Sequence, residues 1–328
     1  MNFAGTITNY GIGIQHTNSY GTVSEVSVLT ISGGKITVAD IGVSNLVGTA
    51  NITGGTIQGG IAVDNAADAI LTIGTDGTLT GTGEAAVRNA GTATISTGMI
   101  VNGNAVGVLN TGAITFDNAV EIRAKDAAIS STAGTLTITT GAKITGNASN
   151  AVLLEGDSDF SFDAGEIIGF HIGVIQGSDT AVTINGGKIE TLANGTGIII
   201  NAGSELTFTA TSEINSTAGT LGLNAVQNYG TFNMTGGTIG TVGFAVGINN
   251  MASGTVTISD GTISSVLGLS NAGTATISGT ASITGTGSAG AVNNTGTLTV
   301  SDGSITADNT GAAGIVNTGT LELTGSIT

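Results

Sequence analysis

Four acids lie close together in this chain: Glu155, Asp157, Asp159 and Asp163. If the stretch is a strand, Asp159 and Asp163 both point outward from it. A hard cation such as Ca2+ takes carboxylate oxygens of this kind. No Ca2+-loop spacing accompanies them, and a solvated acidic face accounts for the same residues. Ca2+ is therefore the one cofactor the sequence leaves open. A second charged series alternates in sign: Glu121, Lys143, Glu166, Lys188 and Glu213. The two histidines, His16 and His171, have no partner pattern, so a lone surface imidazole describes each. The cations are Lys35, Arg88, Arg123, Lys125, Lys143 and Lys188, and only Arg123 and Lys125 are close in sequence.

The elements that position these residues follow from a repeat. The apolar residue closing a recurrent G-T-x-T-I phrase falls at Ile31, Ile52, Ile73, Ile95, Phe116, Ile138, Phe162, Ile184, Phe208, Met234, Ile258, Ile277, Val300 and Leu323. A period of about 22 residues with length variation in the loops marks a solenoid, in which each coil is stabilised by its neighbours. Two residues before each of these stands another apolar residue, from Leu29 and Ala50 to Leu298 and Leu321, with a polar residue between. Period two means a strand with one buried face.

A Gly-containing turn follows, as in Gly33-Gly34 and Asp260-Gly261. A second strand then points inward at Ile36, Ile57, Leu79, Ile100, Ile122, Ile144, Ile167, Ile189, Ile214, Ile239, Ile263, Ile283 and Ile305. After a loop of variable length, a third strand points inward at Val43, Val63, Val87, Val108, Ile129, Leu154, Ile175, Ile199, Val226, Ile248, Leu269, Val292 and Ile315. Two residues on, an Asn recurs at Asn45, Asn65, Asn89, Asn110, Asn201, Asn228, Asn250, Asn271, Asn294 and Asn317, with breaks at Ser131, Gly156 and Gly177. Inward Asn residues can stack amide on amide, so that each donates and accepts along the axis. The competing reading is that Asn tolerates a left-handed turn.

These columns predict an all-β chain: a right-handed parallel β-helix with three strands per coil and about 14 coils, a single continuous β-solenoid over 1–328. At ~4.8 Å per coil it would be a rod of roughly 65–70 Å. On the second strand the alternating charges would then form a ladder across coils, setting register rather than doing chemistry.

Composition narrows function. The net charge of −16 with 6 Lys+Arg argues against nucleic acid and against anionic membranes. No apolar run approaches the ~20 residues of a spanning helix. Zero Cys excludes disulfides and thiolate metal sites. Thr recurs outward on the first strand at Thr92/Thr94, Thr135/Thr137, Thr255/Thr257, Thr274/Thr276 and Thr297/Thr299. Such flat ladders resemble those of ice-binding β-solenoids, and Thr is also simply a good exposed strand residue.

The phrases from Gly230 to Ile239 (GTFNMTGGTI) and from Asn294 to Ile305 (NTGTLTVSDGSI) resemble the repeats of bacterial surface adhesins. They look most like β-helical autotransporter passengers and related pectin-lyase-like repeat proteins. The resemblance covers nearly the whole chain and carries no functional motif. It implies a non-enzymatic extracellular or cell-surface stalk or adhesin, whose partner is a surface glycan or protein. The alternative is a carbohydrate-active β-helix. Lyases on this scaffold need a basic residue to abstract a proton, and hydrolases need paired Asp and a Gly-His-Gly turn. The chain has no Asp-Asp, no Gly-His-Gly and dispersed cations. No recognisable cap marks either end of the sequence, so a flanking segment or end-to-end self-association is expected.

Overall fold

The computed structural model describes residues 2–8, 11–17, 27–74, 77–209, 211–217, 219–240 and 243–327. They form a parallel β-solenoid of about 13 turns of about 22 residues, 71% strand and without helix. The chain divides into two compact units, Met1–Phe160 and Ser161–Thr328.

In the first unit the first-strand columns stack in register. Leu29, Ala50, Leu71, Ala93, Ile114 and Leu136 follow one another on successive coils, as do Ile31, Ile52, Ile73, Ile95, Phe116 and Ile138. All of them are buried. Each Leu or Ile so buried contributes about 1.5–3 kcal/mol. The second-strand column is Ile36, Ile57, Leu79, Ile100 and Ile122. The third runs Ile14, Val43, Val63, Val87, Val108 and Ile129. The strand Val28–Thr37 passes through its corner without interruption. That corner needs glycine: Gly34 has φ +84, and a Cβ there would stand 2.1 Å from the Gly5 carbonyl oxygen.

In the second unit Val182, Leu206, Phe232, Val256, Ala275, Leu298 and Leu321 form one first-strand column. The ring of Phe232 in this column and that of Phe208 beside it lie 6.3 Å apart and tilted. The second strand stacks Ile167, Ile189, Ile214, Ile239, Ile263, Ile283 and Ile305.

The structure corrects the expected third-strand column in two coils of this unit. Val174 and Ile198 stack beneath Val226, and both are fully buried. Ile175 and Ile199, one residue on, are half-exposed. The runs Val174-Ile175 and Ile198-Ile199-Ile200 have no apolar/polar contrast, so period two cannot choose a frame there. Gly173 and Gly197 choose it. A Cβ at either would stand 2.4 Å from the Cγ2 of the second-strand isoleucine it faces, Ile189 or Ile214. The same site holds Gly42, Ala62, Ala86, Gly107 and Ala128 in the first unit, a buried small-residue column that the sequence reading had not assigned. The frame shift takes Asn201, which is exposed, out of the Asn column and puts Gln176 and Ile200 in it.

A second correction lies in the first unit. Ile144 pairs with Val120, not with Ile122, so Glu121 faces Thr145 and Lys143 faces Ala119. A one-residue slip would turn every side chain to the wrong face, but a two-residue slip leaves each on its own face. Because Val120 and Ile122 are both buried, the hydrophobic pattern permits either register.

Ile258 is fully buried, whereas Thr257 beside it faces outward and is half-exposed. Ile258→Asp buries an unpartnered carboxylate and is expected to destabilise by at least about 3 kcal/mol. Thr257→Asp is expected to change stability by no more than about 0.5 kcal/mol. Urea midpoints of the two variants measure the difference, and equal losses would contradict the register.

Candidate functional site

The most constrained polar groups are the inward Asn residues. In the first unit Asn45 donates from Nδ2 to Asn65 Oδ1 at 2.8 Å, Asn65 to Asn89 at 2.8 Å and Asn89 to Asn110 at 2.8 Å. Asn110 then donates to Ser131 Oγ at 3.1 Å, and Ser158 Oγ donates to the same oxygen at 2.6 Å. In the second unit Asn228, Asn250, Asn271, Asn294 and Asn317 continue the pattern, with Nδ2 to Oδ1 distances of 2.8, 2.7, 2.7 and 2.6 Å. The remaining N–H groups meet carbonyls. Asn89, for example, donates to Gly91 O at 3.2 Å and Ala113 O at 3.1 Å. Among the described residues only Ala164 and Asn194 are non-glycines with positive φ, so none of the column asparagines occupies a left-handed turn. The amide stack is the reason for the column.

All these amides donate toward the C-terminal neighbour, which leaves the Asn45 oxygen as an acceptor. His16 Nδ1 lies 2.7 Å from it, so the histidine proton sits on Nδ1. His16 is thus not a lone surface residue in a turn. It ends the strand Ile12–His16 in register with Asn45. His171 is exposed on the strand Glu166–Ser178.

The charged series is only partly a ladder. Glu166, Lys188 and Glu213 are in register on three coils of the second unit. Lys188 also pairs with Glu190 on its own strand, Nζ to Oε2 at 2.6 Å. The bond to Glu190 raises the Lys188 pKa against a smaller cost of desolvation, and the fields of Glu190, Glu213 and Glu166 add to it. In the first unit Glu121 pairs with Arg123 on its own strand at 2.6 Å, while Lys143 is displaced by the register slip. Residues i and i+2 share a strand face, so long side chains there reach each other as readily as across coils.

The firmest ion pair was not anticipated from sequence. Arg88 is opposite Asp64 on the neighbouring coil. Its Nε and Nη2 bind the two carboxylate oxygens at 2.8 Å each, and Nη1 reaches Glu84 at 2.9 Å. The bond to Asp64 drives the Arg88 pKa upward. Both residues directly follow the inward valine of the third strand, so aligning that outward column would have found them.

Glu155, Asp157 and Asp159 are exposed in the first unit, with Ser158 turned inward among them. Asp163, in the second unit, is exposed and accepts from Ser161 Oγ at 2.7 Å. Among the described residues no three His, Cys, Asp or Glu side chains are placed to hold a metal ion. The first unit also has an open trough of about 460 Å³ on its second-strand face, lined by Thr78, Met99, Val120, Glu121, Lys143 and Thr145, where the register slips. Comparison with protein-family models, with curated proteins and with solved structures finds no significant match to this chain.

Two predictions follow from this geometry. Asn89→Ala leaves buried acceptors unpaired and is expected to cost about 2–3 kcal/mol. Asn89→Asp places a carboxylate against the Asn110, Gly91 and Ala113 oxygens, which raises its folded pKa above the unfolded value. That variant is then most stable below the ordinary carboxylate range and loses stability as pH rises through it, a slope that the Ala variant lacks. Denaturation midpoints from pH 4 to 8 read the difference.

Lys188→Glu sets a fourth acid among Glu166, Glu190 and Glu213 and is expected to cost about 1 kcal/mol at low salt. Lys35→Glu, whose register neighbours are Thr6 and Thr56, is expected to cost less. The gap between them should narrow at 1 M salt, where the Debye length is about 3 Å, and a salt-independent gap would refute the electrostatic origin.

Proposed function

We propose that the chain is a non-enzymatic structural or adhesive β-helix of an extracellular or cell-surface protein, of the stalk or passenger kind that its repeats resemble. One observation carries the reading: in each unit the same outward positions recur in register on successive coils. Such a surface offers many equivalent weak contacts, and multivalent binding converts these into retention without a deep pocket. The chain's acidity suits an exposed location by discouraging non-specific association. The buried asparagines of the third-strand column are committed to amide stacking between coils.

A second reading, a carbohydrate-active β-helix, is favoured by the trough that brings Glu121 and Lys143 to one wall. A single experiment separates the two. Beads carrying many copies of the chain are tested for retention on glycan- and protein-coated surfaces, and the free chain is incubated with pectins and other uronic-acid polymers. Retention without new reducing ends or unsaturated products is expected. Product formation would replace the adhesive reading with the enzymatic one, and absence of both would remove the adhesive function.

A further inference from the structure

In the first unit Arg123, Lys125 and Lys143, half of the chain's 6 Lys+Arg, stand on the second-strand side of two neighbouring coils. Glu121, Arg123 and Lys125 alternate along the strand Ala119–Ala124 and its exit, so they share its outer face. Beyond the Glu121–Arg123 pair lies a second trough, of about 350 Å³, lined by Val101, Gly103, Arg123, Ala124, Lys125 and Asn147. The trough that holds Glu121 and Lys143 is its neighbour. In a chain with 22 Asp+Glu, the lining of this second trough holds two cations and no carboxylate.

The cations here have unused donors. Arg123 binds Glu121 through Nε at 2.6 Å, and its terminal nitrogens have no partner among the described residues. The same is true of the Lys125 ammonium. The backbone of Lys125 is nonetheless held from both sides. Its N–H donates to Asn102 O and Ala105 O at 3.1 Å each, and its carbonyl accepts from Ser149 Oγ at 3.3 Å. Asn102 is fully buried and braces the wall. Its Oδ1 accepts from the N–H groups of Asn104 and Ala105, and its Nδ2 donates to Gly83 O. Gly103 keeps the trough open. Its φ lies outside the left-handed region, and a Cβ there would meet no atom beyond its chain neighbours within 4 Å. Neither the backbone nor the packing of the chain requires glycine at that point.

We propose that this trough binds a tetrahedral oxyanion, a sulfate or phosphate ester carried on a polyol of monosaccharide size. Arg123 and Lys125 line it from one coil and Asn147 from the next. Donors spread in this way match oxygens disposed tetrahedrally, whereas the guanidinium alone serves a planar carboxylate. The volume exceeds what an anion fills and lies in the range of small-ligand pockets. Val101 and Ala124 give apolar wall for ring C–H groups. The net charge of −16 does not prevent binding, because charges farther than about 8 Å are largely screened at physiological salt and the local cations dominate. The inference goes beyond the adhesive reading and does not depend on it.

The test is calorimetric titration of the full chain with glucose 6-sulfate and glucose 6-phosphate, with glucose and glucuronate as comparisons and circular dichroism to establish folding. At least one ester should bind, at least tenfold more tightly than glucuronate, and glucose should give no heat. Which ester binds identifies the source of the oxyanion. Lys125→Gln should weaken binding at least tenfold, whereas Lys35→Gln, which removes the same charge on another coil, should leave it unchanged. Gly103→Leu puts a side chain into the open space without removing charge and should abolish binding. Arg123→Gln repeats the test should the leucine variant fold poorly. A folded chain that binds neither ester overturns the proposal. So does glucuronate binding as tight as the esters, which would assign the trough to a carboxylate. Undiminished binding in folded Lys125→Gln or Gly103→Leu, or an equal loss in Lys35→Gln, would reduce the effect to general surface charge and likewise overturn it.

Discussion

Parallel, in-register stacking of one coil on the next is the constraint on which the other features depend. Each inward position meets its equivalent from the neighbouring coil at the spacing of hydrogen-bonded strands. A residue type that packs well against itself is therefore rewarded at every step. β-Branched residues and Leu satisfy this on all three strands, and the second strand carries it furthest, with Ile at every position from Ile167 to Ile305 in the second unit. The third strand adds a steric condition. It approaches the second-strand isoleucines closely enough that only Gly or Ala fits beside its inward apolar residue.

The buried amide stacks obey the same rule in polar form. A side chain with one acceptor and two donors can satisfy itself against an identical neighbour only if all members point the same way, and they do in both units. That gives each stack a polarity. It explains why Ser131, which can both accept and donate, is tolerated within the first unit's stack and why the histidine at the N-terminal end of that same stack donates from Nδ1. It also explains the recurrent glycine two residues after Asn: at Gly112 a Cβ would stand 2.2 Å from the Gly91 carbonyl oxygen.

Electrostatics is secondary. With so few cations, pairing is opportunistic, along a strand for Arg123–Glu121 and Lys188–Glu190 and across coils for Arg88–Asp64. The last is bidentate and ties two coils together. The surface is otherwise hydroxyl-rich, which leaves the repeat itself as its most distinctive property.

The repeat period, the three inward columns and the position of the Asn stack were legible from sequence, because each rests on a contrast between adjacent residue types that a strand converts into opposite faces. Three matters needed the tertiary structure. The frame at Val174 and Ile198 was hidden because their neighbours are apolar too, and the close approach of another strand to Gly173 and Gly197 settled it. The pairing of Ile144 with Val120 was hidden because a slip of two residues preserves every face. The seat of His16 against Asn45 joins residues more than twenty positions apart, and local pattern holds no information on which coil's loop lets such side chains meet. Periodicity determines which face a residue takes, whereas contact between coils decides its partner.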